Sequence, residues 1–223
     1  MNTAQIIAIT KPLYNDMTAE QFIAYTARVS NPSNQMNNDT SNRLLKYCMK
    51  NNHWSIFETV SITMEINTTR DIARQILRHR SFSFQEFSQR YADPTQLGWT
   101  AREARLQDIK NRQNSIEMDY NDDSNENLIH TWELAQIQVM ELALKNYNWA
   151  IENGIAKEQA RALLPEGLTN SKLYMAGTLR SWIHYILIRS EKSTQREHRE
   201  VAMSAKNELC NHFTFLDDYF DVS

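Results

Sequence analysis

The clearest pattern along the chain is an alternation of apolar and polar residues near position 60. Four apolar residues occupy every second position there: Val60, Ile62, Met64 and Ile66. A strand with one buried face shows this period of two. A short apolar run covers residues 6–9 and ends before Pro12, and another covers residues 173–175. These three segments predict the strands of a small sheet.

Helical patterns account for most of the remaining chain. Six stretches are predicted to be helices: residues 22–29, 44–49, 72–77, 125–153, 180–190, and a last long one that opens near residue 194. Thr18 with Gln21 has capping-box spacing before the first of them, and Thr194 with Glu197 has it before the last. Gly154 is placed to end the longest helix, since glycine adopts the left-handed conformation common at helix C-termini.

The intervening segments are polar and irregular. Residues 31–42 predict a loop, and residues 91–123 have room for short strands, for example around Trp99. Only four Gly and four Pro are present in 223 residues, which favours helices over an all-β architecture. We therefore expect one mixed α+β domain spanning residues 1–223, with helix predominating and a small antiparallel sheet flanked by long helices. Three large residues of the longest helix are expected in the core: Trp132, Met140 and Trp149.

Composition and charge narrow the class of protein. Apolar residues make up 41% and charged residues 23% of the chain, as in ordinary globular proteins, and the formal net charge is −3. That balance excludes a generally basic surface for nucleic acid, so any anion site must be local. The N-terminus lacks a signal-peptide pattern and the chain lacks an apolar run of about 18 residues, so we expect no membrane span and a cytoplasmic location. Cys48 and Cys210 form no CxxC pair, which argues against a disulfide framework or a zinc cluster.

The densest group of polar residues lies between positions 70 and 91. Arg70, Arg74 and Arg78 are four residues apart, so they share a helix face and repel each other unless carboxylates or a bound anion offset their charge. Arg80 and Arg90 add two guanidiniums, a group that binds phosphate oxygens through paired hydrogen bonds. Three interpretations fit the pattern: a solvated face with salt bridges, a single-stranded nucleic-acid surface of interleaved Arg and aromatic residues, or a site for a small phosphorylated ligand.

The same segment resembles the signature of flavin-dependent thymidylate synthases, which reads roughly RHR-x-x-S-x-N-E-x-S-x-R-Y. Here it reads RHRSFSFQEFSQRY over residues 78–91, with Gln85 where the family often has Asn. Three further segments are similar to family motifs: HWSIFE at residues 53–58, ARALLP at 160–165 and RSWIHYILIR at 180–189. Trp54 and His184 stand where other residues are common in the family. The likeness spans most of the chain.

The resemblance implies an enzyme that methylates dUMP to dTMP, with methylene-tetrahydrofolate as one-carbon donor and NADPH-reduced FAD as hydride source. It also implies a homotetramer whose sites are shared between subunits. By motif position, seven residues are expected to contact dUMP: Gln75, Arg78, Glu86, Ser88, Arg90, Arg161 and Arg189. Seven are expected to contact FAD: Ser55, Arg78, His79, Arg80, Glu86, Arg180 and His184. Arg189 is expected to activate the pyrimidine, because a guanidinium at its edge favours the anionic ring. Taken alone, without the resemblance, Arg189 is better interpreted as an arginine at the C-terminus of a helix, where it interacts favourably with the helix dipole.

Other assignments compete with this one. Ser88 has no His–Asp partner at a recognisable spacing, so we expect a ligand contact and not a nucleophile. His53 and His79 have no other ligand at metal-binding spacing, so no metal site is expected. Cys48 and Cys210 lie in helical, partly apolar surroundings where a thiol usually stays inert, so neither is expected to attack the pyrimidine. The alternative function is a non-catalytic nucleotide or single-stranded nucleic-acid binding protein on the same fold.

Overall fold

In the computed structural model, which describes residues 2–217, 219 and 220, six strands form two sheets. The strands are β1 (Thr3–Ile9), β2 (Ser61–Thr69), β3 (Ser83–Glu86), β4 (Arg105–Gln107), β5 (Ser115–Glu117) and β6 (Asn170–Thr178). The larger sheet is antiparallel throughout and has the strand order β1-β2-β6-β3. β4 and β5 pair in a separate antiparallel hairpin.

Seven α-helices accompany the sheets in this part of the chain: α1 (Ala19–Ala27), α2 (Ser41–Lys50), α3 (Arg70–Ile76), α4 (Asp123–Glu152), α5 (Lys157–Ala160), α6 (Leu179–Arg189) and α7 (Arg196–His212). Short 3₁₀ helices lie at Pro32–Asn34, Trp54–Glu58, Pro94–Leu97, Arg161–Leu163 and Thr214–Leu216. The predicted α+β class with helix predominating is therefore confirmed. Of the helices described, none is both long and apolar enough to cross a membrane.

The main hydrophobic core lies where α6 and α7 pack against the larger sheet. On β2, Ile62, Met64 and Ile66 are buried and the residues between them are partly exposed, so the predicted alternation is confirmed. α7 packs against β1 and β2, and α6 packs against β6. The Trp182 indole on α6 donates to the backbone oxygen of Ile62 over 3.2 Å, which ties α6 to the centre of the sheet. α7 also contacts α3, so the arginine-rich segment lies beside long, firmly packed helices.

Two predicted helix boundaries are confirmed in detail. The Thr18 hydroxyl accepts from the backbone nitrogen of Gln21 at 3.2 Å, and the Gln21 side-chain oxygen accepts from the backbone nitrogen of Thr18 at 2.9 Å. These two bonds form the capping box at the start of α1. At the end of α4, Gly154 has φ of +78° and its nitrogen donates to Ile151 at 3.0 Å. That left-handed conformation is the reason a glycine suits this position.

The predicted capping box at Thr194 is wrong, although the helix that follows it is present. The N-cap position of α7 is Gln195, which makes no side-chain cap. The Thr194 hydroxyl donates instead to the backbone oxygen of Ile188 at 3.4 Å. The Glu197 carboxylate, the other half of the predicted box, is held by two arginines near β4. Glu197 therefore forms ion pairs with residues distant in sequence and does not take part in capping α7.

The expectation of a core position holds for Met140 but not for the two tryptophans of α4. Met140 is buried, whereas Trp132 is 41% and Trp149 is 57% exposed. α4 buries one stripe of side chains in this chain: Ile129, Gln136, Met140, Ala143, Tyr147 and Ala150. The other apolar residues of α4 lie outside that stripe. Helical periodicity alone therefore overestimates how many side chains of α4 are buried by the rest of the chain.

Two short sheet segments differ from the sequence prediction. β3 has only four residues and follows the arginine-rich turn directly, where the sequence pattern predicts no strand. Trp99 forms an isolated bridge with Thr169 and no strand. The short strands predicted for the polar region are β4 and β5, a few residues further along.

Candidate active site

The segment after α3 is a tight turn that carries Arg78, His79 and Arg80. The backbone nitrogen of Phe82 donates to the oxygen of His79 at 3.3 Å, which closes the turn. The Phe82 ring is buried and lies directly over Gly177 on β6, where a Cβ atom would collide with it. Because Phe82 anchors one end of the turn in the core, Arg78 and Arg80 are held at the surface.

Arg70 and Arg74, which we call the paired arginines, are neutralised by carboxylates of the same chain. Arg70 lies 3.4 Å from Glu86 and 3.3 Å from Glu166, and its side chain is only 9% exposed. Arg74 lies 3.5 Å from the other oxygen of Glu86. The Ser171 hydroxyl also donates to Glu86 at 3.0 Å. For this half of the predicted arginine face the salt-bridge interpretation is confirmed, and Glu86 holds three partners within the chain.

Arg78, Arg80 and Arg189, which we call the open arginines, have no carboxylate within salt-bridge distance in the part of the chain that the structure describes. Arg189 is the last residue of α6, and its Nε donates to Nε2 of His79 at 2.9 Å. Burial, then Arg189 and Arg78, lower the pKa of His79 to about 4, so its ring is neutral near pH 7. Positive charge left without a partner favours a bound anion.

Gln75 faces the junction of α6 and α7. Its Nε2 donates to Oε1 of Gln195 at 2.7 Å, and its Oε1 lies 3.3 Å from Nδ1 of His198. Nε2 of His198 lies 3.1 Å from the Tyr185 hydroxyl. Sequence reasoning missed Gln195 and His198. A signal was available for His198, because it shares the buried stripe of α7 with apolar residues: Val201, Ala202, Ala205 and Leu209.

A second group of predicted residues surrounds α5. Arg90 Nε lies 3.2 Å from Oε2 of Glu158, and Arg161 Nε donates to the backbone oxygen of Glu158 at 3.2 Å. The Ser88 hydroxyl accepts from the backbone nitrogen of Arg90 at 3.4 Å. The fold therefore brings Arg161 to the neighbourhood of Ser88 and Arg90, which lie more than seventy positions before it in the chain.

A third group lies where α6 meets the 3₁₀ helix Trp54–Glu58. Arg180 forms an ion pair with Glu58, and the His184 ring lies 4.6 Å from the Trp54 ring in an edge-to-face contact. Burial, and then Arg180, lower the pKa of His184. Ser55 is exposed on the same 3₁₀ helix. Trp54 and His184, the two residues that depart from the family pattern, therefore contact each other.

A cavity of about 850 Å³ adjoins the Gln75 group, between α4, the β4–β5 hairpin and the start of α7. Gln195, Arg102 and Trp132 are among its lining residues. Arg102 lies 2.7 Å from Asp71 and 3.3 Å from Glu197, so its charge is compensated within the chain. No cluster of His, Cys, Asp and Glu that could hold a metal ion occurs among the residues described.

Comparison with known families gives a match over most of the chain. The family described as "Thymidylate synthase complementing protein" matches residues 12–213. A protein of Paramecium bursaria Chlorella virus 1, named probable flavin-dependent thymidylate synthase, is 49% identical over 220 residues, covering 98% of this chain and 99% of its own length. The flavin-dependent thymidylate synthase of a Synechocystis strain is 47% identical over 213 residues, covering 94% of each chain.

Comparison with solved structures supports the fold. A UMP/dUMP methylase, PolB from Streptomyces cacaoi, crystallised with 5-Br UMP, superposes with a TM-score of 0.77. The match covers 100% of this chain and 94% of PolB, at 22% sequence identity. At that identity the likeness speaks for the architecture only. The family signature and the sequence relatives carry the assignment of activity.

Proposed function

We propose, from the premise that this chain belongs to the flavin-dependent thymidylate synthase family, that it binds FAD and dUMP and converts dUMP to dTMP. In this proposal FAD, reduced by NADPH, supplies the hydride, and methylene-tetrahydrofolate supplies the one-carbon unit, that together form the methyl group. The observation that carries the proposal is the set of open arginines beside neutral His79. A bound nucleotide or pyrophosphate would supply the negative charge that this part of the chain lacks.

The dUMP contacts in this proposal come from the group around α5 and from the residues around Arg189 and Gln75. Ser88, Arg90 and Arg161 would hold the phosphate, with Glu158 fixing the two guanidiniums in place. Gln75, Arg78 and Arg189 would contact the nucleoside, and Glu86 would join them through lone pairs that its arginine and serine partners leave free. The chemistry suits the ligand, because paired guanidiniums match phosphate oxygens and amides match the pyrimidine edge.

Arg189 is the proposed activating residue. Its Nε is oriented by His79, which as a neutral ring can accept this hydrogen bond. The two Nη groups remain to face a ligand, and a guanidinium at a pyrimidine carbonyl stabilises negative charge as it develops on the ring. C5 of the pyrimidine becomes more nucleophilic as a result. No cysteine nucleophile is required in this scheme.

The FAD contacts in this proposal are the turn at residues 78–80 with Glu86, and the third group of Ser55, Arg180 and His184. The fit rests on charge, since Arg78 and Arg80 are exposed and lack carboxylate partners among the described residues, as a site for a pyrophosphate would require. His184 offers a largely neutral ring because burial lowers its pKa. It can therefore contact the flavin without adding a second positive charge next to Arg180.

The proposal includes a homotetramer with sites shared between subunits. Support comes from α4, which exposes several large apolar residues: Leu128, Trp132, Leu134, Val139, Leu142 and Trp149. A contiguous apolar face of this kind is unfavourable in water and is typical of an interface between protein chains. A second copy of α4, presenting the same residues about a two-fold axis, is the simplest occupant.

Assembly is tested by light scattering. We expect a mass four times the chain mass of 26.2 kDa. Leu142→Lys, which places a charge on the exposed apolar face, should reduce the mass. Glu133→Lys, at an exposed position on the opposite side of the same helix, should leave it unchanged. A strictly monomeric parent that still makes dTMP would exclude sites shared between subunits.

The proposal also covers location and domain structure. One hydrophobic core joins the larger sheet to α1, α2, α6 and α7, which supports a single domain over residues 1–223. Cys48 is a buried, reduced cysteine, as is usual in the reducing cytoplasm, where nucleotides and NADPH are available.

The activity is tested on the purified protein. It should carry FAD and be yellow, NADPH should bleach the flavin under anaerobic conditions, and tritium should be released from C5-labelled dUMP when the folate is present. Colourless protein that takes up no added FAD would overturn the proposal in favour of a non-catalytic nucleotide-binding protein.

The cysteines separate this mechanism from one that uses a thiolate. Burial raises the pKa of Cys48, so little thiolate is present there near pH 7. Cys48→Ala combined with Cys210→Ala should therefore leave tritium release within several-fold of the parent. Loss of turnover in a folded double variant would mean that a thiol takes part in the reaction.

A further inference from the structure

Gln75 belongs to a chain of hydrogen bonds that runs through Tyr185, His198 and Gln195. We propose that this chain fixes the Gln75 amide with its N–H group available to the substrate, so that Gln75 donates to a carbonyl oxygen of the pyrimidine. The inference rests on the proposed function, since it names the atom type that dUMP meets at Gln75. His198 and Tyr185 are positioning residues in this scheme, because they act through Gln75.

The direction of donation along these hydrogen bonds is set by Glu197, which accepts from Gln195 at one end of the series. Burial alone would raise the pKa of Glu197, but a backbone hydrogen bond and the charges of Arg102 and Arg105 hold it below its usual value. The group is therefore a carboxylate, which only accepts hydrogen bonds. Nε2 of Gln195 donates to it at 3.0 Å. The Gln195 amide must then turn its oxygen towards Gln75.

The remaining hydrogen bonds follow from that fixed end. Because Gln195 presents an oxygen, Gln75 must meet it with Nε2, at 2.7 Å. The Gln75 oxygen then faces Nδ1 of His198 at 3.3 Å, so Nδ1 carries the ring proton and donates. A neutral imidazole with a proton on Nδ1 accepts at Nε2. The Tyr185 hydroxyl, 3.1 Å from Nε2, is the donor there. Each group has one role that satisfies both of its neighbours.

The groups around His198 keep the network neutral. His198 has no exposed surface, and burial, followed by Arg189 and His79, lowers its pKa to about 3. Burial raises the pKa of Tyr185, which therefore keeps its proton. The His79 ring packs edge-to-face against both, at 4.9 Å from Tyr185 and 6.1 Å from His198. Neither histidine can gain a proton easily next to Arg189, so the direction of donation is stable near neutral pH.

The consequence for the substrate is a matter of hydrogen-bond complementarity. One hydrogen of the Gln75 Nε2 is used by Gln195, and the second remains free, whereas the oxygen is engaged by His198. Because the oxygen is turned towards His198, which has no exposed surface, the proposal places the ligand on the N–H side of the amide, where it meets a donor. Uracil offers two carbonyl acceptors and one N–H donor, so the matching atoms are its carbonyl oxygens.

The proton position is measured directly on the ligand-free protein. Nitrogen-15 NMR of histidine-labelled protein distinguishes a ring protonated at Nδ1 from one protonated at Nε2, and loss of one signal set in His198→Leu assigns the resonance. We expect the Nδ1–H form for His198. The Nε2–H form would overturn the proposal, and this result does not depend on any enzymatic activity.

Two substitutions of His198 separate positioning from packing. His198→Asn places an amide N–H near the former Nδ1 and can still donate to Gln75, whereas His198→Leu fills the buried space but cannot. If the network orients Gln75, the dissociation constant for dUMP rises about tenfold in the Leu variant and stays close to the parent value in the Asn variant. If His198 only fills space, the order reverses, because the apolar Leu suits the core better than Asn.

The measurements are calorimetric titration with dUMP and urea unfolding, with Met203→Ala on the partly exposed side of α7 as the control. Binding by the Leu variant that equals or exceeds that of the Asn variant would overturn the inference. A parent protein that binds no dUMP would contradict the proposed function itself. The tautomer of His198 would in that case still decide how the Gln75 amide is held.

Discussion

The paired arginines and the open arginines belong to neighbouring parts of one site but have opposite electrostatic surroundings. Arg70 and Arg74 contact Glu86 and Glu166 within the chain. Arg78, only four residues further along, has no such partner among the described residues, and neither do Arg80 and Arg189. The first set is neutralised by the fold, whereas the second is left with positive charge that a ligand can neutralise.

The difference arises because the carboxylates reach α3 but not the turn that follows it. Glu86 lies at the end of β3, which pairs with β6, and Glu166 lies in the turn before β6. Both are therefore beside α3, which carries Arg70 at its first position and Arg74 in its last turn. The turn that follows α3 carries Arg78 and His79, and His79 contacts Arg189 at the end of α6. The comparison teaches that equal spacing of like charges in a sequence does not imply an equal role.

The largest expected effect concerns the open set. Arg189→Ala should reduce turnover of dUMP by roughly 10²–10³, the usual consequence of removing one charged group that stabilises a developing anion. FAD should stay bound, because the proposed partner of Arg189 is the pyrimidine. Arg189→Lys should recover little, since a single ammonium cannot replace a planar guanidinium that also donates to His79. Turnover and flavin absorbance measure the two effects separately.

Within the open arginines, Arg78→Ala is the variant to compare with Arg189→Ala. Arg78 is expected to contact both ligands, so this variant should weaken dUMP and FAD together. Near-normal turnover in a folded Arg189→Ala protein would mean that Arg189 serves only the end of α6.

Removal of a paired arginine should affect stability. Arg70→Met should lower the free energy of unfolding by about 3 kcal/mol, because it leaves the largely buried Glu86 without its buried arginine partner. Arg74→Met is the matched control on the same helix, since Arg74 is 44% exposed and an exposed ion pair is worth about 0–1 kcal/mol. Urea unfolding midpoints give both values. Equal losses for the two variants would contradict the division into a buried and an exposed pair.

Much of the fold could be predicted from the sequence, because in a long segment the spacing of the apolar residues indicates which side chains are buried. β2 and α4 were predicted within a few residues, and the α+β class followed from them. β3 could not be predicted, because its four residues are too few to show a period and its pairing with β6 depends on distant residues. The exposed Trp132 and Trp149 show a different limit, since an apolar helix face indicates burial but not whether the same chain provides it.

For the site, the family, the enzyme class and the dependence on flavin were predicted from motif resemblance and are confirmed by the match over residues 12–213 and the 49% identical relative. The roles of individual residues stay predictions. What no motif indicated is the network behind Gln75, because Gln195 and His198 lie about 120 positions away in the chain. Such contacts are created by the packing of α7 on α3.

The smallest expected effect is the most direct measure of the uncompensated charge, namely the titration of His79. Its pKa is lowered from 6.5 to about 4 by burial first, then by Arg189, then by Arg78. Arg189→Met should therefore raise the pKa of His79 more than Arg78→Met, and neither should restore 6.5, because burial remains.

The pKa of His79 is lower in the folded protein than in the unfolded one, so the unfolded chain binds more protons between about pH 6.5 and 4. The free energy of unfolding should accordingly fall as the pH is lowered through that window, with His198 contributing in the same direction. Histidine NMR gives the pKa, and urea midpoints between pH 7 and 4.5 give the slope, which should be shallower in Arg189→Met. A His79 that titrates near 6.5 in the parent would show that its surroundings are as well compensated as those of Arg70, and the distinction between the two sets of arginines would fail.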